Sequence, residues 1–65
     1  MLLQRVSREY VQMQGRVTKL QAFIQTEEFL SIPLVQQKLL REQLEVMRDY
    51  VLILRNRIDL MVLSD

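Results

Sequence analysis

Arginine and tyrosine are the residues of this sequence best suited to bind a ligand. Two series of polar residues recur every seven positions in the second half of the chain: Arg41, Arg48 and Arg55, and Gln43, Tyr50 and Arg57. Seven-residue spacing keeps each series on one stripe of a helix, so the two stripes flank the same helix. A guanidinium binds phosphate through paired hydrogen bonds, and a tyrosine ring stacks on a base. The stripes are candidates for an anion site, although charged flanks also serve to solvate an apolar seam.

The first half of the chain offers further groups of the same chemistry. Arg16 and Lys19 are three residues apart and are therefore neighbours on a helix surface. A hairpin that turns near residues 29–33 would bring Tyr10 level with Tyr50. We therefore predict a ligand pocket along one edge of the hairpin, formed by Tyr10, Arg16, Lys19, Tyr50 and Arg57. The alternative is that the tyrosines wedge into a helical bundle with their hydroxyls facing water.

Catalytic groups of the usual kinds are missing from the sequence. It contains no histidine and no cysteine, which removes the common nucleophile–base pairs and the ordinary zinc ligands. The serines stand in no nucleophile-elbow context, and there is no glycine-rich phosphate loop. Three carboxylates of the second half share an outward face: Glu42, Glu45 and Asp49. We interpret them as a solvated face and predict a protein that is not an enzyme and needs no metal or cofactor.

Two apolar seams define the helices that carry these groups. One lies in the first half of the chain, with spacings of three and four: Leu3, Val6, Tyr10, Met13, Val17, Leu20 and Ile24. The other lies in the second half: Leu40, Leu44, Met47, Val51, Leu54, Ile58 and Met61. Pro33 breaks the chain between them. The sequence predicts an all-α fold, a single antiparallel hairpin over residues 1–65, with helix 1 at about 2–26, a turn at about 27–32 and helix 2 at about 33–63.

The turn has its own signals. Thr26 followed by two glutamates is typical of a helix cap, because a threonine oxygen accepts from a backbone N–H and acids favour a helix N-terminus. Phe29, Leu30 and Ile32 are expected to plug the closed end of the hairpin.

A second apolar row runs beside the seam of helix 2: Leu39, Val46, Ile53 and Leu60. The seam itself covers helix 1, so this row needs another partner. A chain of 65 residues without cysteine gains little stability from its own core, and oligomerisation is the remaining route to a stable fold. We expect a homo-oligomer assembled through this row. A four-helix bundle of two hairpins is the simplest closure, and larger rings are alternatives.

The net charge and the hydropathy of the sequence argue against two classes of partner, nucleic acids and membranes. The formal net charge is +1, which argues against nucleic acid, because binding to a polyanion needs a clear excess of basic residues. The longest apolar run, residues 50–54, is far short of the ~20 residues that span a membrane. We expect a cytoplasmic protein without a membrane segment.

The same residues carry a family resemblance. It rests on the run Arg16–Ile24, the Pro33 break, and positions in and after the turn: Phe29, Leu39, Leu40, Gln43, Met47, Tyr50, Leu54, Arg57 and Ile58. Over residues 10–60 the sequence resembles a group of small phage and prophage helical-hairpin proteins. That group is similar in turn to the phage anti-CBASS sponge proteins.

The resemblance implies a function. Sponge proteins oligomerise and hold cyclic nucleotide messengers of bacterial immunity between protomers without cleaving them; related sponges take cyclic ADP-ribose signals. In that family an aromatic residue stacks on a base and a lysine binds a phosphate, and the counterparts by type are Tyr10 and Lys19. The resemblance therefore implies a phage-encoded sponge in the bacterial host cytoplasm. The alternative is a coiled-coil-like interaction module that binds a host or phage partner protein through the second apolar row.

Overall fold

The computed structural model describes residues 1–64 as three helices: α1 (Leu2–Ile24), α2 (Glu27–Leu30) and α3 (Leu34–Leu63). The long helices α1 and α3 pack against each other, and α2 lies in the connection between them. Together they form a rod of 49 × 15 × 15 Å. The predicted all-α helical hairpin is confirmed. Within it, the stretch that the sequence predicts as a turn contains a short helix of its own.

Each long helix buries one stripe of side chains. Every member of the two predicted seams is buried or half-buried, which confirms the seams. The buried apolar residues are few: Val6, Val17, Phe29, Leu44, Val51 and Leu54. Tyr10 and Met13 pack against the cluster formed by Val17, Leu44 and Val51. The core is a thin strip, so the residues beside it lie at the surface and form the two edges of the hairpin.

The closed end of the hairpin is built around Phe29. The Thr26 hydroxyl accepts a hydrogen bond from the Phe29 N–H at 3.3 Å, which confirms the predicted cap. The Phe29 side chain is 0% exposed, and its ring meets that of Phe23 edge-on with centroids 5.9 Å apart. Leu30 is 67% exposed, so the prediction that it plugs this end is wrong. The reason is that adjacent residues of a helical turn point about 100° apart, and Phe29 takes the inward direction.

Gln37 fastens the start of α3 to the connection. Its side chain is buried, and Nε2 donates to the carbonyl oxygens of Ile32 at 2.8 Å and Leu30 at 3.3 Å. Pro33, at the N-cap of α3, makes no side-chain cap. A buried polar group is stable only when it is hydrogen-bonded, and here the amide satisfies two backbone carbonyls. Gln37 therefore holds the geometry of the connection.

The second apolar row lies on the outer side of α3. Leu39 and Ile53 are 51% and 54% exposed, and Val46 and Leu60 are 67% and 68% exposed. The hairpin thus leaves the whole row accessible, in contrast to the seam beside it. Despite this apolar surface, no helix among residues 1–64 is long and apolar enough to cross a membrane.

Candidate ligand-binding site

One edge of the hairpin carries a groove between α1 and α3. Its volume is about 370 Å³, and its lining residues are Tyr10, Gln14, Val17, Gln21, Arg48, Val51, Leu52 and Arg55. We call it the arginine groove. Val17 and Val51 belong to the buried core, so the floor is apolar, while the glutamines and arginines supply the polar walls. An apolar floor with a few polar groups is the usual composition of a small-molecule site.

The arginine groove continues toward the closed end of the hairpin. The adjoining groove of about 270 Å³ shares Gln21 and Arg48 and adds Arg41 and Glu45. The Arg41 guanidinium carbon lies 5.0 Å from the centroid of the Phe29 ring, which is a cation–π contact. Arg41 is therefore part of the closed end. The three arginines of its stripe have different surroundings: Arg41 stacks on an aromatic ring, whereas Arg48 and Arg55 line the arginine groove.

The opposite edge of the hairpin is organised by Glu9. The Tyr50 hydroxyl on α3 donates a hydrogen bond to the Glu9 carboxylate on α1. Glu9 also lines a shallow groove of about 390 Å³ on α1, together with Arg5, Arg8, Gln12, Met13 and Arg16. We call it the α1 groove. This edge therefore combines basic side chains with a carboxylate that is already bound to a tyrosine.

The Glu9 carboxylate changes the acidity of its partner. It raises the pKa of the Tyr50 hydroxyl above the ordinary value of 10.0, chiefly through the hydrogen bond, and partial burial adds to the increase. Arg57 acts in the opposite direction, because a nearby cation favours the tyrosinate. Tyr50 is therefore a protonated donor near neutral pH, and Arg57 lies within electrostatic range of it.

Comparison with known protein families gives a match over most of the chain. Residues 2–60 match the family model described as Sequestin. The chain belongs to the Sequestin family. The match includes every residue that lines the three grooves. No curated protein and no solved structure matches the chain.

The name Sequestin suggests that members sequester a ligand, a binding activity and not a catalytic one. This agrees with the prediction that the chain is not an enzyme. It also agrees in part with the resemblance to sponge proteins, since holding a ligand is what a sponge does. The identity of the ligand is a matter for the proposal below.

The structure does not bring the five predicted site residues of this Sequestin-family chain to one edge. Tyr10 lies in the arginine groove, whereas Arg16 lies in the α1 groove. Tyr50 is bonded to Glu9, with Arg57 on the same edge. Lys19 is exposed on α1 and lines none of the three grooves described above. Their role in binding stays a prediction.

Four residues that line the arginine groove are not among the site residues predicted from the sequence. Arg48 and Arg55 were recognised as a stripe but not assigned to the site, and Gln14 and Gln21 were not singled out. A usable signal exists, because both pairs are seven residues apart and each follows a seam residue at a fixed offset. Pairing the two stripes across the hairpin would have identified the arginine groove.

Proposed function

We propose that this Sequestin-family protein is a phage-encoded anti-immune sponge. It binds a cyclic nucleotide immune signal, of the cyclic di- or trinucleotide or cyclic ADP-ribose type, and holds it without cleaving it. The observation that carries the proposal is the family match over residues 2–60, whose name denotes sequestration. The resemblance to phage sponge proteins supplies the class of ligand.

The surface chemistry of the hairpin supports a nucleotide ligand. Both edges carry arginines, and the arginine groove adds the half-buried ring of Tyr10 beside an apolar floor. Arginine binds phosphate oxygens through its fork of N–H donors, and aromatic rings stack on bases. Without histidine or cysteine, the chain lacks the residues that most often activate a nucleophile. These features favour binding over hydrolysis.

Assembly is part of the proposal. The chain forms a homo-oligomer through the exposed row Leu39, Val46, Ile53 and Leu60. Val46 and Ile53 precede Tyr50 and Arg57 by four residues each, so the row borders the edge that contains Glu9. A second copy seated on the row would therefore lie beside Arg16, Tyr50 and Arg57, so this edge is one candidate position for a ligand site shared between subunits.

Isothermal titration tests the proposal. The full chain is titrated with a panel of cyclic dinucleotides, cyclic trinucleotides and cyclic ADP-ribose isomers. We expect at least one to bind at micromolar concentration or below, and chromatography of the mixture to recover it intact. Failure of the whole panel to bind would contradict the sponge function, and recovery of a cleaved product would contradict sequestration.

The second candidate function is a protein-interaction module that binds a partner helix. The exposure of the second apolar row favours it, because such a row suits an amphipathic helix from another protein. The oligomeric state separates the two functions. A chain that sediments as a monomer leaves the row available to a partner, whereas a closed homo-oligomer covers it.

A further inference from the structure

We infer that the arginine groove is the phosphate-binding site of this protein, and that one chain supplies all of its anion-binding groups. Arg48 and Arg55 hold two phosphate groups of a nucleotide ligand, and the ring of Tyr10 and the apolar floor receive its uncharged part. The inference rests on the proposed function and assigns its ligand to one of the two edges.

The composition of the groove is the first argument. Within the described residues, no aspartate or glutamate lines it, whereas the α1 groove contains Glu9 and the adjoining groove contains Glu45. A carboxylate next to a phosphate is repulsive, and burial strengthens the repulsion. Of the three grooves, the arginine groove is therefore the one lined by cations and neutral polar groups without a carboxylate; Glu45 lines only the groove next to it.

The spacing of the two arginines is the second argument. Seven residues correspond to about 10.5 Å along a helix, so Arg48 and Arg55 approach a ligand from two separate points. The apolar surface of Val51 and Leu52 lies between them along α3, and Tyr10 faces it from α1. This order of groups, cation, apolar surface and cation, matches a ligand that carries phosphates on either side of a sugar or base.

The polar walls on α1 are the third argument. Gln14 and Gln21 are exposed and line the groove opposite the arginines. A glutamine amide both donates and accepts hydrogen bonds, which is what the edge of a base or a ribose hydroxyl requires. The two helices thus supply different parts of the recognition, charge from α3 and neutral hydrogen bonding from α1.

The position of the second apolar row is the fourth argument. The row lies on the side of α3 that leads to Tyr50 and Arg57, and Arg48 and Arg55 lie on the other side of the seam. Assembly through the row therefore leaves the arginine groove accessible. A site complete within one chain takes one ligand per chain, whereas a site on the two-fold axis between two chains takes one ligand per two chains.

Arginine-selective NMR tests the site without depending on the immune signal. The side-chain Nε–Hε resonances of the full chain are followed during titration with inorganic pyrophosphate and then with cyclic di-AMP. We expect the resonances of Arg48 and Arg55 to shift more than those of any other arginine. Larger shifts at Arg16 and Arg57, or equal shifts at all arginines, would overturn the inference.

Substitutions in the arginine groove test whether it determines the affinity for any cyclic nucleotide of the panel that binds the wild type. Replacing both groove arginines, Arg48→Ala with Arg55→Ala, should weaken binding by about tenfold for each lost phosphate contact. The matched control, Arg5→Ala with Arg8→Ala, removes the same charge from α1 and should change affinity far less. Both double variants place alanine at exposed helical positions, and circular dichroism checks that each remains folded.

The outcomes separate the inference from the sponge function. Loss of binding in the Arg48/Arg55 variant, with one ligand per chain in the wild type, supports both. Loss of ligand binding only in a variant with Arg16→Ala and Arg57→Ala, or a stoichiometry of one ligand per two chains, would agree with the sponge function. Either result would contradict the assignment of the site to the arginine groove. Pyrophosphate shifts at Arg48 and Arg55 without binding of any cyclic nucleotide keep the anion site and contradict the sponge.

Discussion

Tyr50 on α3 donates its hydroxyl hydrogen to the carboxylate of Glu9 on α1, 41 residues earlier in the chain. This bond joins the two long helices on one edge of the hairpin. The Glu9–Tyr50 pair therefore acts as a polar clasp between α1 and α3.

The first prediction concerns this bond and pH. Because the bond requires the Tyr50 proton, and its pKa in the folded chain is raised above 10.0, its contribution to stability is complete below pH 10 and is lost as the pH rises through the raised pKa. Tyr50→Phe should lower the urea midpoint near neutral pH, and the difference from the wild type should narrow in alkaline solution. Urea unfolding at several pH values measures it.

Glu9→Gln is the control for that experiment. It removes the carboxylate that raises the pKa of Tyr50, so in this background the effect of Tyr50→Phe should be smaller and should begin to disappear at a lower pH. An effect of Tyr50→Phe that is the same in both backgrounds would show that the Glu9 bond is not its cause.

The second prediction concerns the connection. Gln37→Leu keeps the size of the side chain but leaves the Leu30 and Ile32 carbonyls without their donor, which should cost about 1–3 kcal/mol in the free energy of unfolding. Gln36→Leu changes the exposed neighbour and should stay within about 0.5 kcal/mol of the wild type. Thermal unfolding at one fixed chain concentration provides the comparison, since an oligomer's stability depends on concentration. Equal effects would contradict the role given to Gln37.

The third prediction concerns assembly. Val46 and Val11 are both 67% exposed, but Val46 belongs to the second apolar row and Val11 lies on α1 outside it. If the row is the interface, Val46→Glu buries an unpaired charge there and should shift the protein to smaller species in sedimentation velocity, while Val11→Glu should not. Ile53→Glu in the same row should behave like Val46→Glu. Unchanged sedimentation of both row variants would exclude the row as an interface.

The fourth prediction concerns Gly15, the single glycine of the chain. It lies inside α1, and a Cβ built on it meets no atom within 4 Å. Gly15→Ala should therefore stabilise the chain by about 1 kcal/mol, because alanine restricts the unfolded chain and favours the helix. The urea midpoint measures the gain. A loss of stability would instead place another backbone against this point of α1 in the assembly.

The hairpin can be predicted from the sequence, because heptad spacing indicates which residues of each helix are buried. Val17 and Val51 stand in the middle of their seams, and both are buried as expected. Phe29 was expected at the closed end and is fully buried there. The prediction for Leu30 is wrong, because a short helix forms where the sequence predicts a turn. The direction of the Leu30 side chain depends on that local geometry.

The edges were harder to predict than the faces. Tyr10 and Tyr50 lie at the same level of the hairpin, because they are at similar distances along the chain from the turn. The edge that a seam residue such as Tyr10 faces depends instead on the rotation of its helix. That rotation is set by packing in the whole hairpin and not by spacing. Glu9 is seven residues before Arg16, but this spacing does not specify a hydrogen bond between Glu9 and Tyr50.

The walls of the arginine groove come from opposite ends of the chain, with Tyr10 near the start and Arg55 near the end. An unfolded chain cannot present both, so a ligand that touches both binds the folded form alone. At a hundred times the dissociation constant, such a ligand would add about 2.7 kcal/mol to stability. In a cell that degrades unfolded chains, occupied molecules would outlive empty ones. The lifetime of the protein would then rise with the abundance of the molecule it captures.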